Sequence, residues 1–351
     1  MSTTEGTSNY EYVTARVRAR RAALFDEEDY RKLLRMGPGE IARYMEETEY
    51  ESEVNALGAR YDGVDLVEYA LNRNLAKHFN DLLDWADGKL YQLIARYLRT
   101  FDAWNVKTVL RGIYADTDGQ SVRDDLIHAG EFNEEFLTRL AEAGTIEDVV
   151  EMLGTTIFGD SLEDAYDDYE STGLLIPLEN AVDRAYYEGL MDGMSETEDR
   201  ATRLYIEFLQ AEIDFRNIRN VLRISRSGAD IDPSEYYISG GRLFDATELA
   251  QLAGSTDELI ARVRDSPYGD ELDEALDELE RADSLIGFEH ALDIALLEYS
   301  DHLSHVFPLS VCPVLAYVLA KQREVDNIRA IARGREAGLS EDRIEEELVV
   351  L

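Results

Sequence analysis

Asp102-Ala-Trp-Asn105-Val-Lys107-Thr-Val-Leu-Arg111 reads, position for position, against Asp214-Phe-Arg-Asn217-Ile-Arg219-Asn-Val-Leu-Arg223 and against Glu324-Val-Asp-Asn327-Ile-Arg329-Ala-Ile-Ala-Arg333. The shared pattern is an acid, two residues, Asn, a β-branched residue, a base, any residue, a β-branched residue, any residue, Arg. The asparagines stand 112 and 110 residues apart, so an internal period is the first thing to check. Around the pattern, apolar residues recur three and four positions apart, as in Leu204, Phe208, Phe215, Ile218 and Leu222, the spacing that buries one face of a helix. Runs with period two are scarce, and the class expected is all-α.

Two further markers keep the same interval. Phe25, Phe132 and Phe244, each in an acid-rich helical stretch, are 107 and 112 residues apart. Leu71-Asn72, Leu178-Glu179 and Phe288-Glu289, each expected to open a long amphipathic helix, are 107 and 110 apart. Three markers with one period predict three pseudo-symmetric helical domains: residues 1–129 with an N-terminal helix of their own, 130–241 and 242–351. Gly and Asp at 115–120, 227–233 and 334–338 predict loops after each Asn-base helix. The tail at 340–348 starts like a capped helix and matches the stretches before Phe132 and Phe244. The third unit thus ends on an orphan copy of the next unit's start, the pattern of a ring cut open once.

The chain is longer than one core usually grows, which agrees with several compact units. Its 351 residues are 45% hydrophobic with only six prolines, an ordered composition. Acidic residues number 74 against 35 basic ones, a net charge of −39 that repels nucleic-acid phosphates and anionic headgroups. No nucleic-acid partner is expected. Lysine occurs only at Lys32, Lys77, Lys89, Lys107 and Lys321, and arginine supplies the other 30 basic residues. Acid-rich, lysine-poor chains resemble those of salt-loving archaea, where a Debye length of roughly 3 Å screens self-repulsion. The single cysteine, Cys312, lies in an apolar run and reads as a small buried hydrophobe. There is no basic start followed by an apolar stretch of the secretory kind. The longest apolar stretch, Val306 to Ala320, is interrupted by Pro308, Ser310 and Pro313 and falls short of the roughly 20 residues that cross a bilayer. Any membrane association is therefore expected to be peripheral.

The usual chemistry is missing from the sequence. No Gly-x4-Gly-Lys-Ser/Thr loop is present to cradle phosphates, and no Gly-x-Gly-x-x-Gly follows a strand. No Glu-x-x-His precedes His78, His128, His290, His302 or His305, which removes a di-metal carboxylate site. Asp301, His302 and His305 share a stretch but lack a third well-placed ligand, and Val306-Phe-Pro reads as a helix end. No catalytic residue, cofactor or metal is assigned. The candidate residues are the repeated polar ones: Asn105, Arg111, Asn217, Arg223, Asn327 and Arg333. They either tie helices together within each unit, satisfying buried polar groups, or form an interface. The acid and base of the pattern, five apart as in Asp214 and Arg219, barely meet on a helix. Arg16-Val-Arg18-Ala-Arg20-Arg21 is the one dense basic cluster, read as neutralising nearby acid or as a docking element.

With these repeats in view the chain resembles the C subunit of archaeal A-type ATP synthases, the relative of the d subunit of vacuolar (V-type) ATPases. The residues carrying the resemblance are Tyr12-Val-Thr-Ala-Arg16-Val-Arg18-Ala and the run Pro308-Leu-Ser-Val-Cys-Pro313-Val-Leu-Ala-Tyr317-Val-Leu-Ala-Lys321-Gln-Arg-Glu324-Val-Asp-Asn327-Ile-Arg329. One departure is Gln322-Arg323, where an acid nearer Lys321 is expected; it weakens a local helix pairing. The resemblance implies a funnel-shaped, non-catalytic central-stalk subunit between the rotor shaft and the membrane proteolipid ring. It also implies that an ion gradient, of protons in the commonest case, drives ATP synthesis through it. The partners implied are the shaft subunits and the ring, at the cytoplasmic face of the cell membrane. A helical-repeat adaptor for another partner is the alternative reading.

Overall fold

The computed structural model describes residues 8–194, 199–227, 233–281 and 286–349. Among these residues every regular element is helical, so the fold is all-α. Two compact units are formed, the first by residues 1–152 with 303–351 and the second by residues 153–302.

The same local syntax is written three times. A polar residue directly after each Phe marker caps a short helix by accepting the amide of the third residue on. Asp26 accepts from Asp29, Asn133 from Phe136 and Asp245 from Glu248. The helices so started are Glu27–Leu34, Glu134–Ala141 and Ala246–Leu252. A hydroxyl then turns the chain into the third short helix of each set: Thr48 Oγ1 accepts from the Tyr50 amide, Thr156 Oγ1 from Phe158 and Ser266 Oγ from Tyr268.

Long helices follow. In the first unit Gly63–Trp85 buries Val67, Leu71, Leu75, Phe79 and Leu82, a stripe at three- and four-residue spacing, against Cys312–Glu336. That second helix is buried over most of its length, from Cys312 through Val325 and Ile328 to Ile331. Cys312 is buried and in no disulfide. In the second unit Ile176–Met191 packs on Arg200–Ser227, and Ile286–Val306 lies beside the latter through ion pairs described below. The core of this unit joins Phe215, Ile218 and Leu222 to Phe244, Leu272, Leu276 and Leu292.

Three expectations need correction. Leu71-Asn72 does not open its helix: the helix begins at Gly63, because Val64, Val67 and Ala70 continue the apolar stripe backwards. Residues 334–336 are helix rather than loop, since the helix runs to Glu336. Gly334 is required there by close packing, as a Cβ on it would lie 2.7 Å from Ile344 Cγ1. Of the expected loop at 227–233, residues 228–232 lie outside the described residues. Thirdly, Gln322-Arg323 does not leave Lys321 without a local pairing: it pairs with Glu324, one turn on.

Candidate functional site

The repeated pattern builds a polar node at three places, and each node is assembled from two side chains one turn apart. On Thr100–Tyr114, Asn105 Nδ2 donates to the Ile127 carbonyl and its Oδ1 accepts the Ile127 amide, both at 2.8 Å. On Arg200–Ser227, Asn217 does the same to Ile238, both at 2.9 Å. On Cys312–Glu336, Asn327 does the same to Val349, at 2.8 and 3.0 Å. All three asparagines are buried. An amide side chain can satisfy the N–H and the C=O of one residue at once, which suits Asn to this position.

The acid three residues earlier holds the next stretch of chain. Asp102 accepts the amides of Glu131 and Phe132, at 2.7 and 3.0 Å. Asp214 accepts those of Arg242 and Leu243, at 2.9 and 3.0 Å, and the Tyr268 hydroxyl at 3.3 Å. Glu324 accepts the Phe25 amide and the Tyr50 hydroxyl, each at 2.6 Å, and pairs with Lys321 Nζ. At the first two nodes a glycine lets the backbone reach the carboxylate: a Cβ on Gly130 or Gly241 would lie 2.2 Å from the oxygen of Asp102 or Asp214. Burial pushes the Asp102 carboxyl up to about 6, against the pull of the Phe132 and Glu131 amides. It raises Asp214 as well, against the Leu243 and Arg242 amides.

The terminal arginines reach neighbouring helices. Arg223 grips Glu289 with two bonds of 2.6 Å, and Arg333 grips Glu68 with two bonds, one of 2.8 Å. Arg111 lies in the last turn of its helix. Arg219 pairs with Asp293, and Arg329 donates to Asn72 Oδ1 at 2.8 Å. The pattern's acid and base therefore face different partners, as their five-residue separation requires. In the basic N-terminal stretch, Arg16 stacks over Tyr12 and Trp85, while Arg20 stacks over Trp85 and pairs with Asp81.

The inter-helix candidates read from the sequence leave out the acids Asp102, Asp214 and Glu324, although they stand in the repeated pattern. The available signal was that an acid kept in all three copies yet out of reach of its base must have a partner elsewhere. Lys321 and Tyr50 were missed too; Tyr268 stands to Asp214 as Tyr50 does to Glu324, and Arg99, paired with Glu131, holds at the first node the place of Lys321. Among the described residues no group of three or more His, Cys, Asp or Glu is arranged to hold a metal ion, and no helix is long and apolar enough to cross a membrane.

The chain is thus wholly helical where described, internally repeated, and bonds its repeated asparagines and acids to its own backbone. It belongs to the ATP synthase (C/AC39) subunit family, whose sequence pattern matches residues 13–347. It is 67% identical to the C subunit of the A-type ATP synthase of Haloferax volcanii over the whole of both chains. It is 60% identical to the same subunit of Halobacterium salinarum over 99% of both chains. That of Methanosarcina acetivorans is 36% identical over 99% of this chain and 94% of its own. The chain is thus an ATP synthase subunit with halophilic archaeal relatives, and its acid-rich, lysine-poor composition suits that kinship.

Proposed function

We propose that this chain is the non-catalytic central-stalk subunit of an A-type ATP synthase, linking the rotor shaft to the membrane proteolipid ring so that an ion gradient drives ATP synthesis elsewhere in the complex. Three copies, residues 1–129, 130–241 and 242–351, build a funnel whose job is mechanical. The observation that carries the reading is the threefold polar node. Buried Asn and acid are bonded to backbone at each of three equivalent places, which stiffens the chain without leaving those groups available for chemistry. A part that transmits torque needs stiffness and complementary surfaces rather than a nucleophile. Its membrane association is peripheral, through the complex, at the cytoplasmic face, and its partners are the shaft subunits and the ring.

The test compares membranes that contain this protein with membranes stripped of it. ATP hydrolysis by the catalytic head is expected to persist after its removal while ion pumping stops. Pumping that continues would sink the coupling role and favour an adaptor for another partner, which co-purification from native membranes would then identify.

A further inference from the structure

At two of the three nodes the acid and the amides it accepts belong to one short stretch of chain. Asp102 and its donors are 29 and 30 residues apart, and Asp214 and its donors 28 and 29. At the third, Glu324 and Phe25 are 299 residues apart. Asn327 nonetheless holds Val349 as Asn105 holds Ile127. The tail helix Glu341–Glu345, capped by Ser340, seats Ile344 on Gly334 as Val122 of the Asp118-capped helix Gly119–Asp125 seats on Gly112. The tail is therefore a complete copy of the linker up to its grip on Asn. At the first node the chain runs on from Ile127 to Phe132; at the third, Phe25 reaches the acid from 299 residues earlier in the sequence.

We propose that residues 8–25 are a strap that does for the third acid what a covalent linker does for the other two, with Lys321 as its lock. The strap's helix, Tyr10–Arg21, packs on Cys312–Glu336 and Gly63–Trp85, burying Val13, Thr14 and Val17. It is pinned along its length. Asn9 donates to the Trp85 carbonyl at 2.8 Å, Thr14 donates to the Pro308 carbonyl at 3.1 Å, and Arg20 pairs with Asp81. The acid itself is adapted: Glu stands where the linked nodes have Asp, and its longer arm reaches an amide with no turn glycine before it. Three residues before the acid the first node has Arg99, which pairs with Glu131, and the second has Ala211; Lys321 of the third instead bonds the acid itself, its buried ammonium reaching both Glu324 and the Tyr50 hydroxyl. Closing a 299-residue span instead of a 29-residue one is roughly thirtyfold less favourable by loop entropy. Strap and lock offset that difference.

The test is amide exchange on the full chain in molar KCl, read at Phe25 against Phe132 and Leu243. Deleting residues 2–23 is expected to quicken exchange at Phe25 by about thirtyfold, the loop-entropy factor, and to leave Phe132 and Leu243 within about twofold. Thr14→Val with Arg20→Met, which keeps the rest of the strap intact, is expected to do the same in smaller measure. A circular permutant without residues 1–24 joins Val349 to Phe25 through His-Ala-Gly-Glu, a copy of residues 128–131, with new termini at the Gly173 turn. It is expected to regain the protection at Phe25. Unchanged exchange at Phe25 in the deletion and the double variant overturns the proposal, as does equal quickening at all three amides. A permutant that does not fold or does not protect Phe25 overturns it too, because the seam would then not be equivalent to a linker.

Discussion

Lys321 and Glu324 stand one turn apart on the Cys312–Glu336 helix, both buried, with Nζ 2.6 Å from Oε1 and 2.9 Å from the Tyr50 hydroxyl. The ammonium also lies 4.3 Å from the centre of the Tyr50 ring. A buried pair of this kind is costly to break from one side, because the remaining charge is stranded away from water. Glu324→Gln should therefore destabilise the protein by about 3–5 kcal/mol. Lys321→Met combined with Glu324→Gln should cost less than the Glu324→Gln change alone. Urea unfolding in molar KCl measures both; a double variant weaker than the single would show that the pair is not the source of the loss.

Asn105, Asn217 and Asn327 each satisfy the amide and the carbonyl of one buried residue. Alanine at any of them leaves one donor and one acceptor unpaired, a loss of about 2–4 kcal/mol for the pair of groups. Asn105→Ala and Asn217→Ala should fall in that range. Asn327→Ala should fall there too, since Val349 is buried as Ile127 and Ile238 are. Urea unfolding measures all three, and a loss well under about 2 kcal/mol at any of them would show that its amide is not what holds that stretch.

Asp102 gives a pH signature. Its carboxyl is raised by burial from 3.8 to about 6, so between these values the folded state binds a proton that the unfolded state has released. Stability contributed by this group therefore increases as pH falls from about 7 towards 4, and is lost as pH rises through 6. Relative to Asp102→Asn, the wild type should gain about 2 kcal/mol between pH 7 and pH 4.5. A difference between the two proteins that stays constant over that window would contradict the buried-carboxyl account.

The net charge of −39 predicts salt-dependent folding. Self-repulsion over a surface with few cations is screened as the Debye length shrinks to roughly 3 Å at molar salt. Melting temperature should climb with KCl across the molar range. A level or falling profile would remove salt adaptation as the reason for the composition.

The sequence alone determined that the chain is helical and written three times over, because both facts are local. Apolar spacing within a helix and the recurrence of Asn-base motifs at a fixed interval need no knowledge of neighbours. It also presented the polar residues of the nodes, since Asn105, Asn217 and Asn327 break an apolar stripe at the same place in each copy. It could not say what they bind. A side chain's partner is set by which distant backbone passes it, so the grip of Asn327 on Val349 and of Glu324 on Phe25 exists only once Cys312–Glu336 has packed on Gly63–Trp85 and Tyr10–Arg21. Tertiary packing also requires the glycine at Gly334, on which Ile344 seats, whereas the apolar stripe that places Leu71 in mid-helix was there to be read in Val64, Val67 and Ala70. Tertiary structure alone placed Phe25, from the chain's beginning, at the acid of its last long helix: hydrogen bonding constrains positions in space, while sequence distance constrains only how improbable it is to bring them together.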